Sequence, residues 1–333
     1  MNRMLSESIS LLRSNYLNYW SLLLLPALFS VRMDLSGSVT TTQLLLRFLG
    51  FGIALIPFAR VISSLVDQLS DHLGDRYSGV VSVGLGNLVE LVVSITALTK
   101  GLYGLVVISV AGAVITNCLL MLGISTFVVS RNAQYVTIQS ASTDLQARQL
   151  MLSLLFLAVP TIVGLSGGIA PAEGNNRSDS FALYSLVVAV MILLYYLLSY
   201  VLQLGTHRAS FSGNRLSKVT HATSFKYGNQ DQKPGLAAIL IAMSIVSVAV
   251  VLISDPLVQT LQDLVRRTTL SELFVGLILL PLFGSVAEGV IAIGAAARGR
   301  IDLALTSTLE SSVQLMMLVL PVLVLTGYNN IGS

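Results

Sequence analysis

The sequence predicts an all-α polytopic membrane protein with about nine transmembrane helices. Of its 333 residues, 54% are hydrophobic and only 11% are charged, and soluble domains carry about twice that charged fraction. The mean hydropathy of +0.82 also indicates that most of the chain lies in lipid, where about 20 apolar residues cross the bilayer as a helix. A soluble enzyme is therefore not expected.

The basic residues lie mainly in the loops between the apolar segments. The net charge is +3 at pH 7, and such loop charges indicate orientation in the membrane rather than nucleic-acid binding. With a cytosolic N-terminus, more Lys and Arg fall on the cytosolic side than on the opposite side, as the positive-inside rule requires. We therefore predict an integral membrane protein with a cytosolic N-terminus and no nucleic-acid partner.

Nine apolar segments define the predicted helices in chain order. The first follows an amphipathic stretch at residues 1–15 that suits the membrane surface. We interpret this segment as an uncleaved span, with a cleaved signal sequence as the alternative. The second leads to Asp67, the fifth contains Pro160, and the seventh is followed by Asp255-Pro256. The segments are 16–31, 44–66, 79–98, 102–129, 149–165, 181–204, 236–253, 270–297 and 301–325.

One polar stretch divides the chain. Residues 205–234 are rich in Ser, Asn, Gly and basic residues, a composition typical of a mobile loop, and the charge bias places it in the cytosol. The predicted organisation is an N-terminal segment with the first span, a first repeat, a polar cytosolic linker and an incomplete second repeat. Their bounds are 1–43, 44–204, 205–234 and 235–333.

One short motif occurs twice. Residues 86–101 and 284–299 align without a gap at an offset of 198, which matches Glu90 with Glu288. A carboxylate near the centre of an apolar helix costs about 3 kcal/mol or more and usually lines an ion path. Because the third and eighth spans cross in opposite directions, the repeat is inverted, as in many transporters. A hydrogen-bonded contact between helices is the structural alternative for each glutamate.

The repeated motif contains ligands for a hard divalent cation. Gly86 and Gly284 each precede a small polar residue and let the helix loosen, so that the freed carbonyls need a cation or water. Glu90 and Glu288 supply carboxylate oxygens, and a calcium-like ion takes about six to eight oxygens in all. Two facing carboxylates in a dry site also bind protons readily, so metal and protons compete. Neutral oxygens come from Asn87, Ser285, Asn117, Ser311, Ser312 and Gln314.

These stretches resemble the calcium/proton exchangers of the cation/calcium exchanger superfamily, over residues 16–328. The family's two repeat glutamates fall on Glu90 and Glu288, and its repeat asparagines fall on Asn87 and Ser285. The resemblance implies that these positions bind the cation and protons. The family's other motif positions fall on Thr116-Asn117, on residues 310–314, and on Asp67 and Asp255, which are candidate accessory acids.

Three residues depart from the family pattern. Ser285 replaces an asparagine, Gly289 a histidine and Glu310 a glycine. Glu310 either faces inward and adds a third carboxylate, as a further candidate accessory acid, or faces lipid and destabilises its helix. The family has two more spans than the nine counted here. The expected fold is thus an inverted-repeat exchanger fold lacking the last two spans, either truncated or covered there by another partner.

The resemblance implies proton-coupled antiport of calcium, or of manganese, from the cytosol into an acidic compartment that is often a vacuole. One alternative is an exchanger-like membrane protein that no longer transports, or that acts as a partner subunit. Another is a sodium-coupled cation exchanger. No enzyme activity and no cofactor are expected, and the three histidines are too scattered for a zinc site. The expected partners are the lipid bilayer, the divalent cation, protons and further copies in a homo-oligomer.

Overall fold

The structure is a computed structural model that describes residues 40–73, 84–131, 140–165, 177–206 and 235–331. Within these ranges all regular secondary structure is helical. In chain order the helices are α1 (Thr41–Leu73), α2 (Leu88–Thr99), α3 (Tyr103–Ser130), α4 (Ser140–Leu165), α5 (Arg177–Thr206), α6 (Leu236–Arg267), α7 (Glu272–Gly284), α8 (Val286–Ala297) and α9, which consists of Ile301–Gln314, Leu315–Val319 and Leu320–Ile331.

The predicted all-α membrane class is confirmed. Six of the described helices are long and apolar enough to cross a membrane, or seven if the bent pair α7 and α8 is one span. Helix α2 is shorter and apolar. The predicted amphipathic segment 1–15, the first span 16–31 and nearly all of the linker 205–234 lie outside the described residues. The count of nine spans therefore stays a prediction.

Helix α6 is longer than the sequence indicated. We predicted its end at residue 253, but the helix continues through Asp255 and Pro256 to Arg267. The reason is a second amphipathic stretch after the proline, in which Leu257, Leu261 and Leu264 are almost fully buried at helical spacing. Burial of this face against neighbouring helices outweighs the one backbone hydrogen bond that the proline removes.

The sequence repeat is also a repeat of backbone structure. Helices α2 and α8 have the same length and begin 198 residues apart. Each is followed, two residues after its end, by a glycine with positive φ, Gly101 at 73° and Gly299 at 75°, a conformation that residues with a Cβ rarely adopt. The same hydrogen bond closes both turns, from Leu102 N to Ala97 O and from Arg300 N to Ala295 O, each 3.0 Å long. The second repeat thus folds locally as the first does.

Three of the helices contain a π-helical turn, at Thr116–Met121 in α3, Val275–Leu279 in α7 and Leu315–Val319 in α9. The turns in α3 and α9 fall at nearly equivalent positions of the two repeats. Such turns are rare and frequently mark functional sites in helices.

The described helices form two compact units. In the first unit, α6 packs against α1 and α2, and α7 packs against α1 and the N-terminal part of α3. In the second unit, α9 packs against α4 and α5. The first residues of α9 belong to a small apolar core that includes Val129, Ala292 and Ala304. Each unit combines elements of both sequence repeats, so the domain bounds drawn from the repeats stay a prediction. The units comprise Met1–Thr116 with Arg215–Val290, and Asn117–Asn214 with Ile291–Ser333.

Candidate cation site

Both repeat helices begin after a break in the helical backbone. Asn87 precedes α2 with φ −103° and ψ 35°, and Ser285 precedes α8 with φ −82° and ψ 3°. The segments on either side of the second break are bent by 64°. The breaks lie at the two Gly–polar pairs, Gly86-Asn87 and Gly284-Ser285, where the sequence predicted a loosened helix.

The two repeat glutamates occupy the same place in their helices. Glu90 is the third residue of α2 and Glu288 the third residue of α8. A carboxylate in the first turn of a helix is stabilised by the unpaired backbone N–H groups and by the helix dipole. Each helix break therefore puts an acidic side chain where backbone amides stabilise a negative charge.

The carboxyl group of Glu90 reaches the other break in the first unit. A Cβ atom built on Gly284 would lie 3.1 Å from Glu90 Oε1 and 3.2 Å from Glu90 Cγ. Such distances are tighter than nine in ten real Cβ contacts, so a side chain here would require the Glu90 carboxyl group to move by a few tenths of an ångström. The structure thus brings together Glu90 of one repeat and Gly284 of the other.

Two buried oxygens at this place lack hydrogen-bond partners within the described part of the chain. They are Oε1 of Glu90 and Oγ of Ser285, and the side chain of Ser285 is fully buried. An unpaired buried polar group costs about 1–3 kcal/mol, and hydrocarbon cannot supply the missing bond. Hard cations bind such oxygens as ligands, so the oxygens present here suit a hard cation.

The remaining predicted ligands of the first unit flank the same breaks. Asn87 is 4% exposed, and Glu288 is partly buried. Among the residues that the structure describes, no group of three or more His, Cys, Asp and Glu side chains is placed to hold one metal ion. A cation bound here would therefore need neutral oxygens in addition to the two glutamates.

A second polar cluster joins the two repeats in the second unit. The amide Nδ2 of Asn117 donates to Ser311 Oγ at 3.1 Å, and the Sγ of Cys118 lies 3.3 Å from Ser312 Oγ. Asn117 is fully buried, and its Oδ1 has no hydrogen-bond partner among the residues described. The sequence predicted Asn117, Ser311 and Ser312 as neutral ligands but attached no role to Cys118, because a lone cysteine in an apolar span resembles any small buried residue.

The structure decides the direction of Glu310, which the sequence left open. Its Oε1 accepts a hydrogen bond of 3.5 Å from Nε2 of Gln314, one turn later in α9. Tyr196 and Tyr200 of α5 lie within electrostatic range of its carboxyl group. Glu310 therefore faces polar neighbours inside the second unit.

The two aspartates predicted as accessory acids lie in different surroundings. Asp255 forms an ion pair with Lys100 at 2.7 Å and accepts a hydrogen bond of 2.7 Å from Gln259. Asp67 lies within α1, and Asp71 follows one turn later. The sequence analysis did not identify Lys100 as the partner of Asp255. The one available signal was the repeat, which aligns Lys100 with another basic residue, Arg298. A role for either aspartate in transport stays a prediction.

Comparison with known sequences identifies the family to which the chain belongs. The profile of the family described as "Sodium/calcium exchanger protein" matches residues 43–205 and 236–333. A vacuolar calcium ion transporter from Schizosaccharomyces pombe is 31% identical over 278 residues, which cover 83% of this chain and 64% of the relative. A Ca²⁺/H⁺ antiporter from Synechocystis is 27% identical over 294 residues, covering 84% of this chain and 76% of the relative. The chain thus spans less than two thirds of the yeast transporter's length.

Solved structures share the fold. The structure titled "Structure of native YfkE" superposes with a TM-score of 0.67 at 24% identity and covers 92% of this chain and 82% of its own. The crystal structure of the H⁺/Ca²⁺ exchanger CAX gives a TM-score of 0.67 at 16% identity, covering 98% of this chain and 75% of its own. At these identities the likeness establishes the fold alone.

Proposed function

The chain belongs to the family of sodium/calcium exchanger proteins, and we propose that it exchanges calcium for protons, moving calcium from the cytosol into an acidic compartment. The sequence relatives support the choice of ions, since they include a vacuolar calcium ion transporter and Ca²⁺/H⁺ antiporters. The vacuolar relatives support an endomembrane location, and the charge bias supports a cytosolic N-terminus.

The observation that carries the proposal is the contact of Glu90 with Gly284, beside the unpaired hydroxyl of Ser285. A buried carboxylate oxygen and a buried hydroxyl oxygen without partners are a stable arrangement only if something else binds them. A divalent cation satisfies both oxygens at once, and when the cation leaves, protons neutralise the carboxyl groups.

Glu90 and Glu288 act as the exchanging groups in this proposal. Whichever side of the membrane the site opens to, the glutamates hold either the cation or protons. Two charged carboxylates in a dry site without either would repel each other. Asn87, Ser285 and the loosened backbone at Gly86 and Gly284 complete the oxygen shell. This shell consists of hard oxygen ligands, which suit calcium and also manganese.

The polar cluster of the second unit has a supporting role in the proposal. Asn117, Ser311, Ser312 and Gln314 are retained as candidate neutral ligands, as the sequence predicts. Glu310 adds a protonatable group that the family pattern lacks, with Gln314 as its hydrogen-bond donor. Asp67 and Asp255 are retained as accessory acids.

The test is calcium uptake into proteoliposomes that contain the purified full chain, under an imposed pH gradient. We expect calcium uptake that a protonophore abolishes. We also expect Glu90→Gln or Glu288→Gln to abolish uptake, because each amide lacks the negative oxygen that a divalent cation needs. Glu272→Gln is the matched control, since Glu272 is exposed at the start of α7. Uptake that survives both glutamate variants would overturn the proposal.

The departures at Ser285 and Glu310 motivate a second candidate function, an exchanger-like protein or partner subunit that binds but does not transport. Gln314 already donates to Glu310, so its amide is partly engaged. Calcium binding without uptake, measured on the same folded sample, would favour this candidate. Uptake driven by a sodium gradient instead of a pH gradient would indicate the sodium-coupled alternative.

A further inference from the structure

The last turn of α7 lies against α1 at a residue that has no side chain. A Cβ atom built on Gly52 would lie less than 3.0 Å from three atoms of the Phe283 ring, and 2.6 Å from its Cζ. Real Cβ atoms essentially never come so close, so any larger residue at position 52 would force the ring to move. Phe48, one turn earlier in α1, meets the same ring edge to face, with 5.6 Å between the ring centroids. The ring of Phe283 therefore fills a gap on α1 that Gly52 leaves open.

The same segment of α7 also lies against a glycine of α3. A Cβ atom built on Gly112 would overlap the carbonyl oxygen of Leu277 and lie 2.7 Å from Cγ of Pro281. Pro281 has no N–H group, so it cannot donate the regular helical hydrogen bond to the carbonyl of Leu277. The part of α7 that its proline weakens is thus the part that packs on Gly112.

These contacts hold the segment that leads into the second helix break. Helix α7 contains a π-helical turn at Val275–Leu279 followed by Pro281, and both features are common causes of a bend in a helix. Its own hydrogen bonds therefore fix the direction of α7 less firmly than those of a regular helix would. Packing against α1 and α3 supplies what the backbone lacks, and Phe283 is the last large side chain before the break.

The position of Phe283 bears directly on the surroundings of Glu90. The next residue in the chain, Gly284, lies against the carboxyl group of Glu90. Ser285 follows, with a fully buried side chain whose hydroxyl has no hydrogen-bond partner among the residues described. Protein interiors are close-packed and transmit strain, so a ring that is forced away from Gly52 also displaces the backbone at Gly284.

We propose that Gly52 and Phe283 are positioning residues of the candidate calcium site. The ring of Phe283, packed on Gly52, holds the second helix break in place. The break in turn sets how Gly284 and Ser285 lie relative to the Glu90 carboxyl group. Neither Gly52 nor Phe283 touches the cation. The inference rests on the proposed function, because that function assigns calcium to Glu90 and Ser285.

Calcium titration of the purified full chain, combined with unfolding in the absence of calcium, separates positioning from packing alone. We expect Gly52→Ala to weaken calcium binding about tenfold, because the methyl group displaces the ring. Phe283→Leu should also weaken binding, since the smaller side chain leaves the gap on α1 partly empty. With both changes in one chain the leucine makes room for the methyl group, so the double variant should bind calcium more tightly than either single variant. Gly104→Ala in α3 is the matched control, because a Cβ atom there makes only an ordinary contact, 3.6 Å from Glu272 Oε1.

Recovery of calcium affinity in the double variant is the result that a role in packing alone does not produce. Packing alone would lower the stability of the single variants and leave the calcium affinity of the folded protein unchanged, and that result would overturn the proposal. If Gly52→Ala does not fold, Phe283→Leu is compared with the double variant, and equal affinity of these two would overturn it. A parent protein that binds no calcium would instead overturn the proposed function, and this inference with it.

Discussion

The carboxyl group of Glu90 lies against the backbone of Gly284, close enough that a side chain at position 284 would begin 3.1 Å from its Oε1. The glutamate belongs to the first repeat and the glycine to the break in the second. The repeated motif therefore contributes an acid from one copy and the space for it from the other. A glycine at this position of the second motif leaves the Glu90 carboxyl group undisturbed.

Gly284→Ala should weaken calcium binding without unfolding the protein. The new methyl group would displace the Glu90 carboxyl group by a few tenths of an ångström, and ligand geometry sets the affinity of such sites. We expect a loss of about tenfold in affinity, or about 1.4 kcal/mol, measured by titration of purified protein. Gly123→Ala is the control, because nothing lies within 4 Å of a Cβ at that helical position. An unchanged affinity would show that the contact does not shape the site.

Ser285→Ala should affect stability and binding in opposite directions. Removing a buried hydroxyl that has no partner is expected to leave the calcium-free protein as stable as before, or up to about 1 kcal/mol more stable. The same change removes a ligand oxygen, so the increase in melting temperature caused by calcium should shrink. Ser254→Ala is the comparison, since Ser254 is equally buried but donates to Val250 O at 2.7 Å. If calcium stabilises Ser285→Ala as much as the parent protein, Ser285 is not a ligand.

Calcium binding should weaken as the pH falls. Each proton bound to Glu90 or Glu288 removes a negative oxygen that the cation needs, so protons compete with the metal. Titrations at several pH values in detergent, without any gradient, measure this competition directly. Replacing Glu288 by Gln should reduce the pH dependence, because one competing group is gone. Binding that is equally tight across the acidic range would contradict proton coupling at these residues.

Glu310→Leu should destabilise the protein more than Glu310→Gln does. Gln314 Nε2 donates to Glu310, and leucine leaves that donor without this acceptor, whereas glutamine keeps an acceptor oxygen. The expected difference in unfolding free energy is about 0.5–1.5 kcal/mol, the net contribution of one hydrogen bond, measured by thermal or denaturant unfolding of both variants. Equal stability of the two would mean that the contact with Gln314 contributes nothing.

The ion pair of Lys100 with Asp255 should contribute little to stability. Their side chains are 21% and 52% exposed, and exposed pairs are worth about 0.2–1 kcal/mol. A double-mutant cycle with Lys100→Gln and Asp255→Asn is expected to give a coupling energy in that range. A much larger coupling would indicate that the pair is shielded from water and holds α6 to the end of α2.

Much of this protein could be predicted from local features of the sequence. Hydropathy located the helices, because a segment in lipid must satisfy its backbone within itself. The gapless repeat at Glu90 and Glu288 predicted two similar helices, and the Gly–polar pairs predicted the breaks before them, since glycine weakens a helix at its own position. Within each segment these signals depend on residues that are near one another in the chain, and the repeat only compares two such segments.

Only tertiary structure decided the contacts between residues far apart in the chain. The packing of Glu90 on Gly284, the bond of Asn117 to Ser311 and the pairing of Lys100 with Asp255 depend on which helix faces which, and at what height. Hydropathy and spacing do not encode that choice, because an apolar helix in a membrane is compatible with many neighbours. For the same reason the direction of Glu310 and the continuation of α6 past Pro256 became clear only from the packed helices.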